Sequence, residues 1–176
     1  MTRNLLAAEA AGRVAHHVVL SIVGIERIPT NGYYAAKLLQ EELALETPIP
    51  ATIVRSTQFF DFAERVATAA LVDDVAKVPP LLLQPVDLGD VATFVAETAA
   101  AEPRNGRVEI MGPETQDLVD MARRTFAARG HSIRLIPTWR GRFGVEAAGE
   151  VLLPGPDAHI APTTFDDWLR RISRAL

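Results

Sequence analysis

The apolar positions change period several times along the chain, and each change marks an element. Residues 2–11 are strong helix formers that stop at Gly12, a residue suited to a helix C-cap. The run after it, VAHHVVLSIVG, is rich in β-branched residues and ends at Gly24, which predicts a strand. From Val18 to Val23 the run is nearly continuous rather than alternating, the pattern of a strand covered on both faces of a parallel sheet. Pro29, Thr30 and Asn31 mark a loop and an N-cap, after which Tyr34, Leu38 and Leu45 give a helix over residues 33–45. Pro48 and Pro50 stop it.

A second buried strand follows in ATIVRS (51–56), and FFDFAERVATAALV predicts a helix behind it. Strand, helix, strand, helix in that order implies parallel strands with helices on both faces, an α/β fold. A short strand near residues 80–84 leads to Asp87, an N-cap for the helix VATFVAETAAA, and Gly106 precedes a third strand, RVEIM. Residues 114–129 predict a helix stopped by Gly130, and residues 131–162 read as loop-rich, with no element assigned. TTFDDWLRRISRAL closes the chain as an amphipathic helix capped by Thr163 or Thr164. The 176 residues are expected to form a single domain.

Composition narrows the function classes. A formal net charge of -4 and a pI near 5.6 argue against a nucleic-acid surface. The chain has no cysteine, which excludes thiol catalysis, disulfides and thiolate metal sites and fits a reducing compartment. No secretory h-region and no membrane-length apolar run is present, so the expectation is a cytoplasmic protein without a membrane partner.

The chemistry concentrates in GYYAAK. Tyr33 and Lys37 are four residues apart on a predicted helix and share one face. A free phenol, with a pKa of about 10, is a poor proton donor or acceptor near neutrality, and an adjacent ammonium favours its ionised form. Ser21, at the carboxyl end of the first strand, is a candidate to orient a substrate oxygen, because open α/β sheets bind ligands beyond their strand carboxyl ends. The bland alternative is a tyrosine packed at a helix start and a solvated lysine beside Glu41.

Taken in order, SIVG, GYYAAKLLQEEL, ATIVRSTQFFDF, QPVDLGDVA and EIMGPE resemble the NmrA-like, atypical branch of the short-chain dehydrogenase/reductase superfamily, from Thr2 to the C-terminal helix. The resemblance implies an incomplete Rossmann-like three-layer fold, with the second half of an NAD(P)-binding domain at about residues 1–100 and a small substrate-side α/β region at about 101–176. It implies NADP or NAD as cofactor and a small carbonyl or alcohol substrate. It also implies Tyr33 and Lys37 as the active-site pair, Lys37 on the nicotinamide ribose, Ser21 as the family's serine, and Thr57, Gln58 and Phe59 lining the nicotinamide and substrate pocket. The sequence departs from the family at its start, where no strand, glycine-rich turn and helix provide a diphosphate cradle. The chain is therefore expected to be a C-terminal portion, and its first strand to carry an open edge that recruits a second copy. A non-catalytic NAD(P)-sensing or partner-binding module, or an inactive gene fragment, are the alternatives.

Other residues offer less. Gly141, Gly144 and Gly149 do not follow a confident strand and have the wrong spacing for a phosphate loop. His16 and His17 are neighbours on a strand and point to opposite faces, while His131 and His159 stand apart, so no metal is expected. Arg134, Arg140 and Arg142 with Arg170, Arg171 and Arg174 read as solvated surface or as a basic patch, and Phe60 and Phe62 as packing residues beside Phe59.

Overall fold

A computed structural model describes residues 1–141 and 143–174. Arg142 of the arginine set, and Ala175 and Leu176 at the end of the expected closing helix, lie outside the described residues. The elements run α1 (Thr2–Ala11), β1 (His17–Ile22), α2 (Gly32–Leu45), β2 (Ala51–Ser56), α3 (Phe62–Ala69), β3 (Leu71–Val72), β4 (Val75–Val78) and β5 (Leu82–Leu83). They continue with α4 (Leu88–Ala100), β6 (Gly106–Met111), β7 (Gln116–Asp117), α5 (Leu118–Ala128), β8 (Arg134–Pro137), β9 (His159–Ile160) and α6 (Phe165–Ser173).

The main sheet has the order β1-β2-β6-β9, and every pair in it is parallel. Parallel neighbours need a crossover, and α2 supplies the one between β1 and β2. On one face Ala44 of α2 closes against Val19 and Ile53. On the other, Val91, Phe94 and Val95 of α4 cover Val54, Val108 and Ile110. This is the expected three-layer α/β arrangement. A larger apolar cluster joins Ile25 and Tyr34 to α3, α5 and α6 through Phe60, Met121, Phe126, Phe165 and Trp168.

The helix ends follow local chemistry. Asn31 Oδ1 accepts the amides of Tyr33 and Tyr34 at 3.0 and 3.2 Å, Asp87 accepts that of Gly89 at 2.8 Å, and Thr164 that of Asp167 at 3.1 Å. Gly24 has φ of +76°, and a β-carbon there would stand 2.5 Å from the Val151 carbonyl oxygen. Only glycine lets the turn after β1 lie that close to the C-terminal segment.

Four expectations change. β1 is covered unevenly: it ends the sheet's strand order, and while Val18 packs in the cluster on the α4 face, Leu20 on the same face is 39% exposed. The helix expected through FFDFAERVATAALV spans only Phe62–Ala69. Phe59 bridges to Val86 before it, and Leu71–Val72 turns back on β4 after it, through Asp73 at φ of 52°, a conformation aspartate tolerates better than most residues. The helix expected from residue 114 starts at Leu118, because Gln116–Asp117 pair with β5 and Asp117 then caps α5. Residues 131–162 are not all loop: β8 pairs in parallel with β4, and β9 with β6.

Candidate active site

The carboxyl ends of β1 and β2 open into a cleft of about 580 Å³. All six residues singled out from the sequence line it: Ser21, Tyr33, Lys37, Thr57, Gln58 and Phe59. Parallel strands end at the same level, so the residues that leave β1 and β2 meet there, and the crossover helix α2 brings its first turns over them. Phe62, Val66 and Phe143 form an apolar wall, with Asp61 and Arg65 at the rim.

Tyr33 stands at the second position of α2 and is 61% exposed, its ring 6.2 Å from that of Tyr34. Lys37, one turn on, donates to the Leu20 carbonyl at 2.7 Å and to Gln40 Oε1 at 2.6 Å. An ammonium has three donors, so one remains after these two bonds. Burial holds the Lys37 ammonium below its ordinary pKa, and Glu41 one turn further along offsets this only in part.

The floor is the segment after β2. Its backbone is pinned: Thr57 N–H donates to Ile110 O at 3.1 Å and Val86 N–H to Gln58 O at 2.9 Å. The side chains are not. Thr57 Oγ1 and both Gln58 amide atoms are buried and have no hydrogen-bond partner, although Gln58 is only 7% exposed. Buried polar atoms without partners are uncommon and costly. Both residues line the cleft.

Ser21 lines the cleft as expected, but its hydroxyl is already engaged. Its hydroxyl donates to Glu41 Oε1 at 2.5 Å, so its proton is directed beneath α2. Glu41 is fully buried and is saturated: Oε1 also accepts Arg55 Nε at 2.9 Å, and Oε2 accepts Arg55 Nη2 and Arg107 Nε at 2.8 Å each. Burial alone would raise its pKa, but the hydrogen bonds from Arg55, Arg107 and Ser21 outweigh this and lower it. Arg55 is completed by Glu26 at 3.1 Å. Sequence reasoning missed this network, which ties α2 to three adjacent strands beside Tyr33 and Lys37. A signal was present: Arg55 interrupts a strand that otherwise reads as fully buried, and a buried arginine requires a carboxylate.

The histidines, the arginines of the last helix and the late glycines, set aside from the sequence, do not line the cleft. His16 meets Thr52, and His17 meets Glu9 at 2.8 Å. Arg170 and Arg171 pair with Asp167 and Asp87. Gly144 and Gly149 belong to a segment of two short 3-10 turns, with no strand leading into it. Among the described residues, no group of three or more histidine, aspartate or glutamate side chains could hold a metal, and no helix is long and apolar enough to cross a membrane.

No protein-family model and no curated protein matches the chain. Solved structures do match in fold. An NADPH-dependent quinone oxidoreductase from Escherichia coli superposes with a TM-score of 0.76 at 16% identity, covering 97% of this chain and 72% of that one. A nucleoside-diphosphate-sugar epimerase from Staphylococcus aureus gives 0.67 at 15% identity, over 96% and 69% of the two chains. A short-chain dehydrogenase/reductase superfamily protein from Agrobacterium tumefaciens with bound NAD gives 0.62 at 17%, over 99% and 70%. The chain thus has the Rossmann-like fold that these proteins share.

Proposed function

We propose that the chain works in an NAD(P)H-dependent oxidoreductase of the short-chain type, acting on a small carbonyl or alcohol. One observation carries this reading: the six predicted residues surround a single cleft whose floor holds buried, unpartnered polar side chains. A primary amide such as that of Gln58 offers a donor and an acceptor together, which complements the carboxamide of a nicotinamide. Lys37 would use its remaining donor on the adjoining ribose, and Phe59 would lie along the ring. The cofactor, when bound, supplies or accepts the hydride.

The chain's own residues handle the proton. The exposed Tyr33 phenol would give it to the carbonyl oxygen or take it from the alcohol. Ser21, whose proton is held by Glu41, would meet a substrate only as an acceptor. Thr57 Oγ1, which has no partner, is the hydroxyl with a proton to offer.

The residues present fit the nicotinamide end of the dinucleotide and not its diphosphate. β1 leads to α2 through Gly24 and a 3-10 turn, and Asn31 already occupies the first amides of α2. Among the described residues no glycine-rich turn joins a strand to a helix N-terminus. The reading includes a cytoplasmic homo-oligomer joined through the edge of β1, supported by that strand's terminal position and the exposed Leu20. A clean monomer by light scattering at micromolar concentration would remove the oligomer.

The first test is a fluorescence titration with NADPH and NADH, comparing wild type with Lys37→Ala. Saturable binding, weakened about tenfold or more by loss of a charged hydrogen bond, is expected. Tyr33→Phe is expected to lower turnover by roughly 10²- to 10⁴-fold, the usual contribution of a positioned acid–base group, and to leave cofactor binding intact. Turnover that survives Tyr33→Phe ends the proton-transfer role. Binding without turnover of any carbonyl tried would favour a cofactor sensor.

A further inference from the structure

The cleft continues past Phe62. A second cleft, of about 980 Å³, lies beside it, and Asp61, Phe62, Arg65, Val66 and Phe143 line both. The shared boundary is mostly apolar, and Ala69, Ala70 and Pro79 extend that surface into the second cleft. Around it four cations converge from four parts of the fold: Arg65 on α3, Lys77 on β4, Arg129 after α5 and Arg140 after β8.

The carboxylates there do not balance them. Glu64 is engaged by Arg129 at 2.7 Å, which leaves Asp61. Among the described residues Arg65, Lys77 and Arg140 make no ion pair. Three uncommitted cations thus face one uncommitted carboxylate, in a protein whose formal net charge is -4. A cleft with low-dielectric walls and charges of one sign concentrates ligands of the other. Cations that hold no element in place by pairing need another reason to gather from four directions.

We propose that the second cleft takes the anionic end of the substrate, a carboxylate or phosphate monoester, joined by an apolar stretch along Phe62, Val66 and Phe143 to the carbonyl at Tyr33. The proposal rests on the oxidoreductase reading for the reacting end only. Guanidinium groups bind both kinds of oxyanion, and lysine adds a point charge.

Calorimetric titration of the intact protein with octanoate, octyl phosphate and the neutral methyl octanoate tests it without cofactor or turnover. Both anions are expected to bind about tenfold or more tighter than the ester, the size of one charge-assisted hydrogen bond, and to lose that margin as salt rises. The tighter of the two anions identifies the head group. In the Arg65→Gln, Lys77→Gln, Arg140→Gln triple variant the preference is expected to vanish. All three side chains are on exposed residues, circular dichroism checks the fold, and Arg140→Gln alone, in a loop, should already reduce the margin. Equal binding of acid and ester by wild type, or an unchanged preference in the triple variant, overturns the proposal. An anion preference found while NADPH fails to bind would keep the second cleft and reject the oxidoreductase; NADPH binding with no preference would do the reverse.

Discussion

Two sets of polar groups lie within a few residues of each other along β2 and end in opposite states. Arg55 belongs to a network in which both oxygens of the buried Glu41 are saturated by Ser21, Arg55 and Arg107. Two and three residues on, Thr57 and Gln58 are as deeply buried, yet their side-chain polar atoms have no partner. The first set is gathered between helix and sheet around a carboxylate with no exposed surface, where an unpaired charge would be a permanent cost. The second sits where the sheet ends and the cleft begins. Saturation therefore separates the groups that tie α2 to the sheet from the groups proposed to meet the cofactor.

The largest way to break this contrast is Glu41→Gln, which leaves Arg55 and Arg107 without their carboxylate. Breaking a buried pair costs roughly 3–5 kcal/mol. The low end, about 3 kcal/mol, is expected here because Arg107 is 41% exposed and Arg55 keeps Glu26. Urea unfolding measures it, and a loss below about 1 kcal/mol would mean the network does not anchor α2. The same carboxylate sets a pH dependence. Its folded pKa lies below the ordinary value, so its contribution is complete above about pH 4.3 and is lost as the pH falls through the lower folded value. The stability gap between wild type and Glu41→Gln should close on that acid side and stay constant from pH 5 to 7.

Gln58→Leu should move stability the opposite way. Replacing a buried amide that has no partner with an apolar side chain removes a desolvation cost of about 1–3 kcal/mol, so the variant is expected to be about 1 kcal/mol more stable while its NADPH titration weakens. A destabilised variant would mean that the Gln58 amide is satisfied in the free protein. The smallest effect sharpens the picture at the helix end: Asn31→Ala removes the cap over Tyr33 and Tyr34 and should cost about 1 kcal/mol. It should also lower turnover more than it lowers NADPH affinity, because the loosened turn carries Tyr33 while Lys37 keeps its bonds further along α2.

Much of the architecture was legible residue by residue. The β-branched runs around His17–Ile22 and Ala51–Ser56, and the caps Asn31, Asp87 and Thr164, are local signals, and the elements they mark stand where those signals put them. β3, β4, β7, β8 and β9 were not legible. They are two to four residues long, too short to show a period, and they exist because distant segments pair, as Val75–Val78 do with Arg134–Pro137. Tyr33 and Lys37 could be singled out because their spacing is a helical one. Glu41 could not, since in LLQEEL it reads as one more solvated acid.

By itself the sequence determined the period of each long element, the residues that end it, and which side chains one helix face presents together, because these depend on neighbours within about four positions. The tertiary structure alone decided that Glu41 is buried and ionised. Its partners are 14, 20 and 66 residues away, and only the parallel stacking of β1, β2 and β6 beneath α2 brings them to one point. It also decided that Arg65, Lys77, Arg129 and Arg140 face a common cleft. Charges scattered along a chain carry no mark of a shared destination, and long-range packing supplies it.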